Sequence, residues 1–392
     1  MSKNLFEVFL IFLRLGLTSF GGPIAHLGYF HNEFVSRRKW MTEQAYGDLV
    51  ALCQFLPGPA SSQVGMAIGL NRAGVLGAIA AWIGFTMPSA VLLILFGLGV
   101  TQHASWFTAD ILHSLKVVAV AVVAQALWSM GPKLCPDKER IMIALFAGLA
   151  ALYFPFAGMQ VALIILGGVL GVIFLRKIPK FSPIPQDSLI SKKMASVFLM
   201  IFLALLIALP LGAKYSANQE LHFFDSFYRA GSLVFGGGHV VLPLLQSEVV
   251  PTGWVSKEAF MAGYGAAQAI PGPLFAFSAY LGAVSQVPPS GFVGGLICLI
   301  AAFLPAFLLV LGAIPFWEKL REFKSMQQAL LGINAVVVGL LLAAFYNPVW
   351  VSGITNAKDF AWALLAFVLL TFLKLPSWVV VTLSVLVGGI LL

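Results

Sequence analysis

An arginine seven residues ahead of a glycine break occurs twice in this chain. Arg14 leads into Phe20-Gly21-Gly22-Pro23, and Arg229 leads into Phe235-Gly236-Gly237-Gly238-His239. Seven residues make two helical turns, so each arginine lies on the face that carries its break. A guanidinium fork matches the oxygens of a tetrahedral anion bidentately, and two forks neutralise one dianion. A helix restarting after a break presents unpaired N–H groups and the positive end of its dipole. The chemistry expected is therefore oxyanion binding by Arg14 and Arg229, with backbone from Gly21, Gly22, Gly236, Gly237 and Gly238. The plainer alternative is that each arginine caps carbonyls at its break or reaches back to the surface.

A second pair of breaks lies at Pro57-Gly58-Pro59 and Pro271-Gly272-Pro273. Gln54 and Gln268 each precede one by three residues, as hydrogen-bond donors to substrate or as braces. Ser61, with Thr18, Ser19 and Ser62, offers hydroxyls where the second half has Phe275, Leu233, Val234 and Ala276, so the site is symmetric in backbone and not in side chains. His239 follows the second glycine break, and because an unperturbed imidazole titrates near neutral pH it is a proton-coupling candidate beside Glu33 and Glu248. The two glutamates stand at the outer ends of their hairpins, where an interface salt bridge is the favoured reading. His26 is not the counterpart of His239, and Lys116 lies alone in an apolar run.

The elements that position these residues belong to a membrane. Of 392 residues, 60% are hydrophobic and 10% charged, with mean hydropathy +0.96, which excludes an ordinary soluble domain. The net charge of +8 is then a topology signal and not a nucleic-acid patch. Cys53, Cys135 and Cys298 are scattered packing residues with no metal or disulfide spacing, and no cofactor is called for. Arg14 interrupts the N-terminal apolar region, which therefore reads as mature chain and not a signal peptide.

Helices are predicted at 5–20, 23–36, 43–56 and 60–70, each pair flanking a break, with Pro23 suited to a first helical turn. Apolar runs follow at 73–99, 112–130, 139–155 and 157–175. A basic, proline-bearing linker at 176–193 leads to an apolar helix at 194–212. The pattern then restarts. Phe12 to Val35 aligns on Phe227 to Val250 at an offset of 215, Trp40 on Trp254 and the Pro-Gly-Pro breaks on each other at 214, and Pro88 on Pro305 at 217. Four motif pairs in one order indicate duplication. The remaining runs are 291–314, 327–346, 358–374 and 376–392. The domains expected are a first repeat (1–175), a linker with connecting helix (176–212) and a second repeat (213–392).

Charge sets the topology. If each broken segment turns back, Arg37, Arg38, Lys39, Arg72, Lys133, Lys138, Arg140, Lys192, Lys193, Lys319 and Lys324 share the N-terminal face, against Lys214, Lys257 and Lys358 opposite. The positive-inside rule makes the N-terminus cytoplasmic and the C-terminus periplasmic. The fold expected is an all-α polytopic membrane protein of two inverted-topology repeats. Each repeat has two re-entrant hairpins and four transmembrane helices, and one extra helix joins them, giving nine spans. Inverted repeats with matching broken helices place a transporter's site at the midplane. Helix 5–20, about 24 Å long, reaches the middle of a core of about 30 Å. An arginine at that depth costs about 2.5–3.5 kcal/mol on insertion scales, which favours a functional reading.

Phe20-Gly21-Gly22-Pro23, Phe235-Gly236-Gly237-Gly238-His239, Gln54-Phe55-Leu56-Pro57-Gly58-Pro59 and Gln268-Ala269-Ile270-Pro271-Gly272-Pro273 resemble the chromate ion transporter family in its two-halved form. The resemblance covers nearly the whole chain, with Gly238 where the first half has Pro23. It implies a bacterial inner-membrane protein that moves chromate outward and confers chromate resistance, with sulfate as the chemical look-alike. Its partners are then the oxyanion and the lipid bilayer, with a homodimer as an open assembly state and no nucleic acid. No nucleotide-binding motif is present, so an ion gradient or substrate exchange drives transport. An anion channel with the same site is the main rival. An intramembrane enzyme lacks HExxH, CxxC or paired membrane carboxylates, and a scaffold needs no symmetric arginine–glycine breaks.

Overall fold

A computed structural model describes residues 2–102, 109–154, 158–175, 190–235, 238–320 and 322–391, and the described residues are helical throughout, with no strand. The first broken segment is α1 (Ser2–Thr18) and α2 (Gly22–Phe30), which continues as a π-helical turn over His31–Arg37. Gly21 and Gly22 both take positive φ, 99° and 77°, a backbone that side-chain-bearing residues avoid, and Pro23 follows in the first turn of α2. The second is α3 (Glu43–Phe55) and α4 (Ala60–Gln102), separated by Pro57-Gly58-Pro59. Thr42 caps α3 by accepting from the Ala45 N–H. Long α4 is interrupted at Ala73 and Gly74, so its first part is a hairpin arm and the rest a crossing helix.

Next come α5 (Ala109–Leu134), α6 (Lys138–Tyr153), α7 (Met159–Phe174) and α8 (Lys192–Tyr215). The expected linker falls mostly outside the described residues. Then α9 (Gln219–Leu233) and α10 (Val241–Val249) flank the second glycine break. Pro271-Gly272-Pro273 separates α11 (Lys257–Ala267) from α12 (Phe277–Ala283). Here the halves agree: α12 turns back into α13 (Gly291–Ala313) with Gly282 packed on the Gly294 carbonyl, and the first part of α4 turns back at Ala73 and Gly74 with Gly69 packed on the Gly77 carbonyl. The short α14 (Trp317–Leu320) precedes α15 (Lys324–Ala344). After the π-helical turn Phe345–Trp350 and α16 (Val351–Gly353) come α17 (Ala357–Thr371) and α18 (Ser377–Leu391).

Nine crossing runs were expected, and five described helical stretches are long and apolar enough to cross: Ala60–Gln102, Ala109–Leu134, Lys192–Tyr215, Gly291–Phe316 and Lys324–Gly353. The other four, α6, α7, α17 and α18, have 15 or 16 residues. At 1.5 Å per residue they span about 22–24 Å, short of a core of about 30 Å. Their ends fall within one to three residues of the expected runs 139–155, 157–175, 358–374 and 376–392.

Packing interlocks the halves. α1 lies on α4, and α9 on α13. Glycine permits both approaches, since a Cβ at Gly16 would meet the Gly84 and Phe85 carbonyls, and one at Gly231 the Ala302 carbonyl. α6 and α7 pack on α15 of the other half, while α17 and α18 pack on α5. α8 stays peripheral, with Met200, Leu203 and Ile207 exposed on its outer face. The α7–α15 contact is the tightest test of this exchange, because a Cβ at Gly332 would collide with the Gly167 carbonyl and the Gly171 backbone. Gly332→Val is expected to lose about 1–3 kcal/mol by overpacking, read as an earlier thermal unfolding transition in detergent.

Candidate functional site

Buried backbone at a helix break must find partners, most of all where water is absent. Here the breaks supply each other. The Gly272 N–H donates to the Ser19 carbonyl at 2.9 Å, and the Gly58 N–H donates to the Val234 carbonyl at 2.7 Å. Ser19 and Val234 are equivalent positions at the offset of 215, and Gly58 and Gly272 at 214. The glycine break of each half is therefore bonded to the Pro-Gly-Pro break of the other. Gly58 and Gly272 take φ of 120° and 95°, and their surroundings explain the missing side chains. A Cβ on Gly272 would stand 2.8 Å from Ser89 Oγ, and one on Gly58 would stand 3.0 Å from the Ala306 methyl.

The arginines do not face this centre. Arg14 pairs with Glu33 at 2.5 Å. Arg229 binds Glu248 through two bonds of 3.0 Å and also Asp225 at 3.0 Å. A carboxylate of the same hairpin thus pairs with each guanidinium. The reason is geometric: side chains on a helix lean toward its N-terminus. On α1 and α9 that direction leads away from the break and toward Glu33 and Glu248 at the hairpin ends. The two glutamates are accordingly ion-pair partners, which argues against their standing as free proton-coupling groups.

Around Glu33 the pairing becomes a network. Arg38 Nε donates to it at 2.6 Å and Arg37 at 3.2 Å. Arg38 and Arg72 both reach Glu7, and both lie over the Trp40 ring. Burial pushes the Glu33 carboxyl up, but hydrogen bonds from Arg38, Arg14 and Arg37 and the Arg14 charge outweigh it and hold the group below the usual carboxylate range.

Other candidates are scattered. Gln54 is exposed. Gln268 is buried with Nε2 unpaired, and its carbonyl accepts from Ser377 Oγ at 2.9 Å. His239 Nδ1 lies 2.9 Å from the Tyr264 hydroxyl, which gives it a local partner. Gly236 and Gly237 lie outside the described residues, and Gly238 opens a 3₁₀ turn, Gly238–Val240.

Buried polar side chains of the first half stand at both cross-bonds, His26 and Ser89 near Ser19–Gly272 and Gln63 at Gly58. His26 is fully buried, with Nδ1 3.3 Å from Ser61 Oγ and its ring edge-on to Phe85 at 5.2 Å. Its ring abuts the Ser19 main chain. Gln63 Nε2 donates to the Pro57 carbonyl at 2.9 Å and so braces the break, the task expected of Gln54. Ser89 donates to the Thr86 carbonyl at 2.9 Å. His26, Gln63 and Thr86 were missed in the sequence because none has a polar twin. Ser61 and Ser62 were legible only as hydroxyls beside a break.

A multi-pass helical membrane protein whose four helix breaks are cross-bonded at a buried centre is the class that fold and site define. The chain belongs to the chromate transporter family, which matches residues 6–172 and again 221–390. It is 28% identical to an uncharacterized transporter of Methanocaldococcus jannaschii, over 98% of this chain and 94% of that one. It is 27% identical to a chromate transport protein of Pseudomonas aeruginosa over 86% and 79% of the two chains. To a chromate transport protein of Cupriavidus metallidurans it is 25% identical over 97% and 92%. No solved structure matches.

The Glu33 network yields a stability test. Glu33→Ala leaves Arg14, Arg37 and Arg38 without their shared partner. Glu33 is buried and the arginines are part-exposed, so a loss of about 2 kcal/mol is expected, between the exposed and buried ranges for ion pairs. Because the folded carboxyl titrates below its ordinary value, its contribution is complete above about pH 5 and fades as pH falls below about 4. Detergent melts of wild type and variant should therefore differ at pH 7 and converge in acid.

Proposed function

We propose that this protein is a secondary carrier that moves chromate, with sulfate as the look-alike substrate, across the bacterial inner membrane. The observation that carries this reading is the twofold family match, one in each half, together with relatives named chromate transport proteins. The geometry adds a location. The breaks are bonded in two cross-pairs and α2 and α4 start just beyond them, so the positive ends of two helices stand beside the buried first-half side chains. Transport proceeds outward by alternating access, with the halves in inverted orientation about an axis in the membrane plane.

Several contacts support that topology. Lys257 Nζ donates to Asn347 Oδ1, and His113 lies 2.9 Å from Asp359, joining segments assigned to the periplasmic side. Arg72 joins Glu7, and Gln328 donates to the Leu175 carbonyl, on the cytoplasmic side. Burial of Ser19, His26 and Ser62 favours a closed carrier site over an open pore. Arg14 and Arg229 then act as braces that hold each hairpin shut, and shape the site indirectly.

The direct test is exchange of radiolabelled chromate and sulfate in proteoliposomes at varied pH and membrane potential. A carrier shows uptake stimulated by internal oxyanion, whereas potential-driven flux without such stimulation would establish a channel. For orientation, Lys39→Cys should be labelled by an impermeant reagent only from the cytoplasm and Lys214→Cys only from the periplasm. Labelling of both from one side overturns the inverted arrangement.

A further inference from the structure

We propose that the oxyanion is bound by the first half alone, through neutral donors: the Ser19 and Ser62 hydroxyls and His26 Nε2, at the starts of α2 and α4. This rests on the transport reading and deepens it by placing the ligand. Among the described residues, Ser19 Oγ, His26 Nε2, Ser62 Oγ, Gln63 Oε1 and Thr86 Oγ1 have no hydrogen-bond partner, and all five side chains are at least 97% buried. Unpaired polar atoms are rare inside proteins, and a group of them calls for a ligand or water.

They share one neighbourhood. His26 touches Ser61 and the Ser19 main chain. Ser19 accepts from Gly272, which abuts Ser89 and the Phe85 carbonyl. Ser61 and Ser62 lie in the first turn of α4, and Thr86 follows Phe85 farther along it. With Nδ1 accepting from the Ser61 hydroxyl, Nε2 carries the proton and is an unpaired donor. Gln63 is a positioning residue, since its amide holds the Pro57 carbonyl.

The second half has lost this chemistry position by position. Val234 stands for Ser19, Val241 for His26, Ala276 for Ser62 and Phe303 for Thr86, and all four are buried. The backbone bonds are kept in both halves while these four positions are polar in one only. A ligand of the chromate or sulfate kind, all acceptor oxygens, fits donors that carry no fixed charge, with the dipoles of α2 and α4 supplying the field. Such a site also releases its ion more readily than one closed by two guanidinium forks, which a carrier requires.

The test uses the full-length protein in detergent, with radiolabelled sulfate and, separately, chromate as probes, and reads binding and thermal unfolding together. H26V and the S19A/S62A double variant are expected to bind both ions at least tenfold more weakly. The double variant removes unbonded hydroxyls, so its melting temperature without ligand should equal or exceed wild type while the ligand-dependent rise disappears. A purely structural role would instead lower the ligand-free melting temperature and leave the rise. A276S, which adds a hydroxyl at the position equivalent to Ser62, should bind within twofold of wild type. H26N, which restores a donor, should recover part of the affinity even if H26V folds poorly. Binding within twofold of wild type by S19A/S62A overturns this placement and leaves the transport reading standing. Wild-type protein that binds neither ion overturns both.

Discussion

Every other feature of the centre depends on two backbone hydrogen bonds. A helix interrupted inside a membrane exposes N–H and C=O groups that lipid cannot satisfy. This chain answers by aiming each glycine break at the Pro-Gly-Pro break of the other half, Ser19 to Gly272 and Val234 to Gly58. Each bond needs a glycine N–H held at positive φ close to a neighbouring helix, which fixes Gly58 and Gly272. It also needs α1 close on α4 and α9 close on α13, which fixes Gly16 and Gly231. The constraint reaches from two hydrogen bonds to the small residues of four helices.

Much of this was legible because glycine and proline report backbone needs directly. The breaks, the restarts at Pro23 and after Pro59, and the two-part pattern follow from residues whose conformational demands are nearly context-free. Helix ends were less legible, because apolar runs do not distinguish a helical residue from an apolar turn residue, and the ends of α6, α7, α17 and α18 differ from the expected runs by one to three residues.

The arginines show where spacing misleads. Arg14 and Arg229 do lie on the faces that carry their breaks, yet a helical side chain has a direction as well as a face. Leaning toward the N-terminus carries the guanidinium outward, to Glu33 and Glu248, which the same alignment had already paired. Two aligned charges of opposite sign, Arg14 with Glu33 and Arg229 with Glu248, were better evidence for a repeated brace than for a repeated ligand. Such a pair neutralises the arginine at depth, which is one of the few ways a charge stays there.

Duplication also explains why the side chains near the centre are not matched. The two cross-bonds constrain backbone in both halves, since losing either strands an N–H and a C=O in a dry interior. No such requirement holds a hydroxyl at Ser62 or an imidazole at His26, and their equivalents Ala276 and Val241 are simply packed. A second set would add unpaired polar atoms without adding an occupant, and each would weaken the protein. Replacement by valine, alanine and phenylalanine in one half is therefore the stabilising course wherever the ligand sits off the axis relating the halves. Polar atoms left unpaired in the first half, at Ser19, His26 and Ser62, are the ones that this packing does not account for.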